Sequence, residues 1–107
     1  MELTGKNKER FQEYYINLPN SMGLNYGNKE TTLNRFYALP LSMQIGVVQD
    51  YADSIGYDIN VGKVSDDVRY YYNIHKPNGD ACYSLGFKTR DEARTAAIKA
   101  FDEIVNG

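Results

Sequence analysis

Three short segments between residues 57 and 87 alternate apolar and polar side chains, and this alternation most constrains what the chain can fold into. The apolar positions are Tyr57, Ile59 and Val61, then Val68, Tyr70, Tyr72 and Ile74, then Ala81, Tyr83, Leu85 and Phe87. Because successive side chains of a strand point to opposite faces, each set predicts a half-buried strand. Between the last two segments stands Pro77-Asn78-Gly79-Asp80, whose residues favour a tight hairpin turn. We therefore predict a three-stranded antiparallel sheet with all three apolar sets on one face.

An amphipathic helix is predicted before the strands. Its apolar stripe is Leu41, Ile45, Val48, Ala52 and Ile55. Pro40 suits the first turn, where a missing N–H costs nothing, and Gly56 suits a left-handed C-terminal cap. Gly46 inside the helix costs about 1 kcal/mol relative to alanine, and it offers a place where another backbone could approach closely.

A second helix is predicted after the strands, beginning at Thr89. Thr89 and Glu92 form a capping box, in which each side chain bonds a backbone N–H of the first turn. The buried stripe is Ala93, Ala97, Ala100, Phe101 and Ile104. Together with the preceding elements, this helix predicts an α+β fold: an α-β-β-β-α domain over residues 39–107, with helices packed on one face of the sheet.

Residues 1–38 are predicted to be an N-terminal helical extension with an Asn/Gly-rich loop. Phe11 and Tyr15 lie four residues apart in a helical segment from Lys6 to Ile16. Residues 17–31 are rich in asparagine and glycine and indicate a loop. Thr32 is placed to cap a short helical turn that follows it.

Composition narrows the class of protein. The chain has 107 residues, a net charge of −2 and a pI near 5.3, which argues mildly against nucleic-acid binding because phosphate neutralisation needs a basic surface. No apolar run approaches the roughly 20 residues of a membrane span, and the N-terminus lacks a signal-peptide core. The single cysteine, Cys82, cannot form an internal disulfide. We expect a cytoplasmic protein.

The segment from Phe87 to Phe101, FKTRDEARTAAIKAF, resembles the closing motif of the double-stranded RNA-binding domain, and the predicted element order is the same. That resemblance implies phosphate contacts from the basic start of the last helix. Arg90 and Arg94 match basic positions of the motif, whereas Asp91 replaces its middle lysine. The family's second contact region, a Gly-Pro loop with a histidine, has no match in the short acidic loop over residues 62–67.

A second resemblance covers more of the chain. It rests on Thr4-Gly5-Lys6, on Phe36-Tyr37 followed by LPLSMQIGV, and on the Glu-Ala-Arg helix that ends in Glu-Ile-Val-Asn. These features look like small uncharacterised proteins of bacteriophages and prophages. The likeness implies an accessory protein in the cytoplasm of a bacterial host and supplies no mechanism.

Two surfaces are candidate binding sites. Lys88, Arg90 and Arg94 could form a phosphate-binding ridge, or Asp91 and Arg94 could pair on a solvated helix face. The second surface is the outward sheet face, which could bind a base or a peptide; its predicted members are Arg69, Tyr71, Asn73, His75 and the small residue Ser84. We expect the N-terminal helix to cover this face, with a partner chain as the alternative.

Catalytic and metal chemistry find little support in the sequence. His75 is the only histidine, and Asp80 across the hairpin gives it a weak acid/base partner without a nucleophile. The pairs Asp50 with Asp53 and Asp66 with Asp67 each supply too few oxygen ligands for a cation site. We therefore predict no enzyme, no cofactor and no metal. The expected function is a non-enzymatic accessory protein that binds a protein partner or itself, with duplex nucleic-acid binding as the alternative.

Overall fold

A computed structural model of the chain describes residues 3–17, 29–64 and 69–107. The elements are α1 Gly5–Ile16, α2 Lys29–Tyr37, α3 Leu41–Ser54, β1 Asp58–Lys63, β2 Tyr70–His75, β3 Ala81–Phe87 and α4 Arg90–Asn106. The strands form one antiparallel sheet in the order β1-β2-β3, and α3 and α4 pack against one of its faces. The predicted α+β class and the α-β-β-β-α order are confirmed.

The predicted turn joins β2 to β3. The Gly79 N–H donates to the Lys76 carbonyl at 3.0 Å, and the Lys76 N–H donates to the Asp80 carbonyl at 2.7 Å. Gly79 has a φ of +93°, which an L side chain rarely adopts, so glycine fits the turn better than other residues. The turn sets the register of the hairpin, in which His75 lies opposite Ala81.

The third strand presents its side chains differently from the prediction. Tyr72 and Ile74 pack against the core, and their cross-strand partners are Ser84 and Cys82. Directly paired residues share a face of the sheet, so Ser84 and Cys82 lie on the inner, helix-covered face. Tyr83, between them, points to the outer face. The prediction that the apolar set of β3 faces the core is therefore wrong for most of the strand.

A bulge near the end of β3 explains why the alternation misled. Tyr71 pairs with Leu85 but Tyr70 pairs with Phe87, which leaves Gly86 as an extra residue in β3. Gly86 has a φ of +111°. One common type of bulge needs a residue with positive φ at this position, and glycine adopts that conformation most easily. The bulge reverses the parity, so Phe87 returns to the inner face while Leu85 stays outside.

The core lies between the helices and the inner face of the sheet. Its aromatic centre is a cluster in which Phe11 contacts Phe36 and Tyr51 at ring-centroid distances of 5.0 and 5.4 Å, and Tyr51 contacts Phe101 at 6.1 Å. All four rings are at most 1% exposed. Each contributes roughly 1.5–3 kcal/mol by burial, so α1 and α2 are stabilised by the same core as α3 and α4.

The capping box of α4 is confirmed with one change. The Glu92 N–H donates to Thr89 Oγ1 at 3.1 Å, as predicted. The Glu92 carboxylate accepts from the Lys88 N–H at 3.1 Å, one residue before the cap. Both bonds fix where α4 begins, directly after β3 ends.

Other helix boundaries fit the predictions less uniformly. Pro40 is the N-cap of α3 and so lies one residue before its first turn, and Gly56 follows the C-cap with a φ of +90°. Thr32 lies inside α2, so the predicted cap at this position is wrong. A Cβ at Gly46 would meet no atom of residues 3–17, 29–64 or 69–107 within 4 Å, so the predicted close approach of another backbone is not found in these ranges.

Some predictions lie outside the described residues. These are residues 18–28 of the predicted Asn/Gly-rich loop, residues 65–67 of the predicted acidic loop, and the start of the second strand at Val68. The two loop predictions are wrong at their described ends, because 29–31 belong to α2 and 62–63 to β1. Within the described ranges, none of the helices combines the length and apolar character that crossing a membrane requires.

Candidate functional site

The outer face of the sheet consists of three cross-strand rows of side chains. The rows are Gly62–Tyr71–Leu85, Asn60–Asn73–Tyr83 and Asp58–His75–Ala81. In each row the residue of β2 stands in the middle. Three of the predicted face residues, Tyr71, Asn73 and His75, are therefore brought together. Arg69 lies one residue before β2, where its carbonyl accepts a bond from the Val64 N–H at 3.0 Å.

The outer end of the Tyr71 ring lies against Gly62 of the neighbouring strand. A Cβ built on Gly62 would stand 2.8 Å from the Tyr71 hydroxyl oxygen and 2.9 Å from two of its ring carbons. No real Cβ tolerates such distances, so the ring position requires glycine in β1. The glycine thus lets an aromatic side chain cover the backbone of an edge strand.

Tyr83 stacks on the other side of this arrangement. The ring centroids of Tyr71 and Tyr83 are 5.8 Å apart, with 29° between the ring planes. Tyr83 is 61% exposed and Leu85, opposite Tyr71, is 39% exposed. We call Tyr71, Tyr83 and Leu85 the tyrosine patch. Sequence reasoning missed two of its three members because it assigned Tyr83 and Leu85 to the core.

Polar groups border the tyrosine patch. Asn73 Nδ2 and His75 Nε2 are 3.2 Å apart, and the buried Asn73 Oδ1 atom has no hydrogen-bond partner in the described part of the chain. Asp80, the suggested acid/base partner of His75, instead accepts from the Asn78 amide at 3.2 Å. Among the described residues no hydrogen bond joins His75 to Asp80, so these two side chains do not form the predicted pair.

Two expectations about this face need correction. Ser84 was assigned to it, but the register places Ser84 opposite Tyr72 on the inner face. The N-terminal helix was expected to cover it, but α1 packs against α2, α3 and α4 and buries Asn7, Phe11 and Tyr15 there. The physical reason is that these side chains complete the core on the helical side, where the other aromatic rings lie.

The predicted phosphate-binding ridge contains basic side chains that interact with other residues of the protein. Arg94 forms an ion pair with Asp91 at 2.9 Å. This is the pairing on a solvated helix face that we gave as the alternative to phosphate binding. The Arg90 guanidinium lies 5.5 Å from the centroid of the Tyr70 ring, a cation–π distance. Lys88 is exposed at the end of β3. Two of the three cations therefore have partners near the start of α4, and phosphate binding there would compete with those contacts.

A buried polar network is the feature that sequence reasoning missed altogether. Asp102, 5% exposed, accepts hydrogen bonds from the Thr4 N–H at 3.0 Å, the Thr4 hydroxyl at 2.6 Å, the Asn7 amide at 2.9 Å and the Asn106 amide at 3.1 Å. The Tyr51 hydroxyl donates to Asn7 Oδ1 at 2.8 Å. A carboxylate beside Phe101 in the apolar stripe was the available signal, since a buried charge requires hydrogen-bonding partners.

The network also affects Tyr51 electrostatically. Burial raises the pKa of the Tyr51 phenol above its usual 10.0, Arg10 opposes this, and Asp102 adds to it. Loss of the phenolic proton would also remove the donor to Asn7. Tyr51 is therefore held neutral, and the network acts as a structural bracket between α1, α3 and α4.

Neither a metal site nor a similar protein assigns a function to the described residues. Within residues 3–17, 29–64 and 69–107, no group of three or more His, Cys, Asp and Glu residues could hold a metal ion. No family model, curated protein or solved structure matches the chain.

Proposed function

We propose that the protein is a non-enzymatic interaction module that binds a protein partner through the outer face of its sheet. The observation that carries this proposal is the tyrosine patch, in which Tyr83 is 61% exposed and Leu85 39% exposed on a face that α1–α4 leave open. The resemblance to small phage proteins and a place in the bacterial cytoplasm remain part of the proposal.

The patch has the chemistry of a protein-binding surface. Tyrosine offers a large apolar ring and a polar hydroxyl at little conformational cost, and interface centres are enriched in it. Tyr71 is held by Gly62 beneath it and by the Tyr83 ring beside it, so binding would order few additional side chains. Such preorganisation lowers the entropic cost of association.

Nucleic-acid binding is less well supported by the same surfaces. A duplex-binding site needs several free cations, because affinity grows with the number of phosphates neutralised. Here Arg94 pairs with Asp91 and Arg90 stacks on Tyr70, while the net charge is −2. Duplex binding is therefore an outcome that the experiments distinguish from protein binding.

Photo-crosslinking tests the proposal in bacterial cells that produce the protein. A photoreactive phenylalanine analogue replaces Tyr83 or, in a control, Tyr37, which is 39% exposed and packs on Phe36 at 5.2 Å. Tyr37 is thus also an exposed tyrosine in contact with a second aromatic ring, but the contact is edge-to-face and the residue lies on α2. We expect a discrete protein adduct from position 83 and not from position 37.

Purified components then give the quantitative test. The protein identified by crosslinking should bind the wild type and the Tyr37→Ala variant equally, and Tyr83→Ala about tenfold or more weakly. Equal binding by both variants, or the absence of an adduct at position 83, would overturn the proposal. Duplex RNA or DNA binding that weakens with salt and with Arg90→Glu, but not with Tyr83→Ala, would favour the alternative instead.

A further inference from the structure

β3 is an edge strand with one side unpaired. Among the described residues, β2 is its only hydrogen-bonded neighbour. The bond from the Lys76 N–H to the Asp80 carbonyl fixes which residues of β3 face β2. Because antiparallel bonding alternates along a strand, the backbone groups of Ala81, Tyr83 and Leu85 point to the free edge.

Apart from a bulge at Gly86, the free edge lacks, among the described residues, the features by which proteins protect such strands. β3 contains neither a charged residue nor a proline, and its Gly86 bulge leaves residues 81–85 regular. The other edge strand, β1, begins with Asp58 and ends with Lys63. An uncharged edge strand with exposed apolar side chains is a template for pairing with another strand.

We propose that β3 pairs antiparallel with β3 of a second copy about a two-fold axis at Tyr83. Tyr83 is the middle one of the three residues that face the free edge, so this register lets all of them pair. Tyr83 then meets Tyr83 of the second copy, and Ala81 meets Leu85. Each of these pairs exchanges both of its backbone bonds.

A second copy fits this edge better than an unrelated chain because the register is self-complementary. The uncharged stretch from Ala81 to Leu85 meets the same uncharged stretch. At each end of the paired strands, Asp80 of one copy lies opposite Gly86 of the other. Lys88 of that other copy is two residues further along the chain, so an acidic and a basic side chain approach each other at both ends. An isologous contact of this kind closes into a dimer and does not propagate.

Pairing at this edge deepens the proposed function and rests on it. It joins the two outer faces into one continuous surface, with the tyrosine patches adjacent across the axis. A partner protein would then meet a doubled aromatic surface, whereas a monomer offers half of it.

Charge placement tests the register in the full-length protein. Sedimentation equilibrium should show a monomer–dimer equilibrium for the wild type. In the variant Ala81→Lys/Leu85→Lys, lysines face each other at both ends, and we expect the dimer dissociation constant to rise about tenfold or more. In Ala81→Glu/Leu85→Lys, each lysine faces a glutamate, and we expect association to return to near the wild-type value. Circular dichroism checks that both variants are folded.

Disulfide trapping tests the axis directly. Two residues in a hydrogen-bonded antiparallel pair have Cα atoms about 5.5 Å apart, within disulfide reach. Cys82→Ser/Tyr83→Cys should therefore form a covalent dimer on mild oxidation. The control Cys82→Ser/His75→Cys places an exposed thiol on the same face, one strand away from the axis, and should form much less.

The outcomes separate this inference from the proposed function. A wild type that stays monomeric at several hundred micromolar, or equal crosslinking at both thiol positions, overturns the dimer. If Tyr83-dependent binding of a partner protein persists in such a monomer, the proposed function stands. A dimer that obeys the charge test but crosslinks no partner from position 83 supports the inference and overturns binding of a separate partner protein.

Discussion

Removing one hydroxyl from each of two buried tyrosines should have opposite effects on stability. Tyr51 and Tyr15 are both 1% exposed and both belong to the same core. The Tyr51 hydroxyl donates to Asn7 Oδ1 at 2.8 Å, whereas the buried Tyr15 hydroxyl has no hydrogen-bond partner among the described residues. Substitution by phenylalanine deletes the same atom in both cases and preserves the packing of the ring.

The magnitudes follow from what each substitution leaves behind. Tyr51→Phe leaves the acceptor atom of Asn7, a residue with no exposed surface, without its bond. An unsatisfied buried polar atom costs about 1–3 kcal/mol. Tyr15→Phe instead removes a buried hydroxyl that none of the described residues bonds, and we expect stability to be unchanged or to rise by about 1 kcal/mol. The two variants should therefore differ by about 1–4 kcal/mol.

Urea unfolding followed by far-ultraviolet circular dichroism measures this difference at neutral pH. Unchanged m-values would show that the shift in midpoint reports stability alone. In thermal melts each kcal/mol corresponds to about 4–8 °C for a domain of this size. Combining Tyr51→Phe with Asn7→Ala should cost less than the sum of the single substitutions, because the two residues share one bond.

Two results would refute the reasoning. If both phenylalanine variants lost stability to the same extent, the hydrogen bond to Asn7 would contribute nothing beyond ring packing. If Tyr51→Phe were neutral and additive with Asn7→Ala, the polar network would not couple α1 to α3.

Further substitutions test individual backbone positions and the buried phenol. At Gly46 and at Gly79 a Cβ would meet no described atom within 4 Å. Gly46→Ala should nevertheless stabilise the protein by about 0.5–1 kcal/mol, because alanine favours the helix, whereas Gly79→Ala should destabilise it, because its φ is +93°. Urea midpoints that move in the same direction would contradict this. Gly62→Ala should lower the unfolding free energy by about 1–3 kcal/mol, because the added methyl group would clash with the Tyr71 ring. In a Tyr71→Ala background, where this ring is absent, the loss should be much smaller. An equal loss in both backgrounds would show that the ring does not lie against Gly62. Because burial raises the pKa of Tyr51, folding favours the protonated phenol, so its contribution is complete below about pH 10 and is lost as the pH rises through the raised value. The unfolding free energy should then fall as the pH rises above about 10, and less steeply in Tyr51→Phe, whereas parallel profiles would exclude this role.

The fold was predictable where local rules decide the structure. Thr89 and Glu92 cap a helix by contacts within one turn, and Asn78-Gly79 closes a hairpin within a few residues. Such signals can be recognised from sequence because their physical cause lies within the same short segment. Helix and strand order followed from them.

The candidate site depended on features that act across strands. The face that Tyr83 occupies is set by the turn at one end of β3, and the alternation hides it because the bulge at Gly86 restores the core-facing position of Phe87. A single inserted residue thus exchanges the two faces of a strand. The contact of Tyr71 with Gly62 likewise depends on how two strands pair. Neither the face of Tyr83 nor this contact can be derived from the sequence without knowing the strand register.

The network around Asp102 also determines the order in which the chain can fold. Asn7 bonds to Asp102 and Asn106 across sequence separations of 95 and 99 residues. During synthesis, α1 leaves the ribosome long before α4 exists. Asn7 can accept the bond from Tyr51 once α3 is available, but its bonds to α4 form only when nearly the whole chain is available. These contacts span almost the full length of the chain, which places them among the slowest to form and makes completion of the network a late event. A ribosome-bound chain that ends before residue 102 should therefore hold α1 less tightly than the 107-residue chain does.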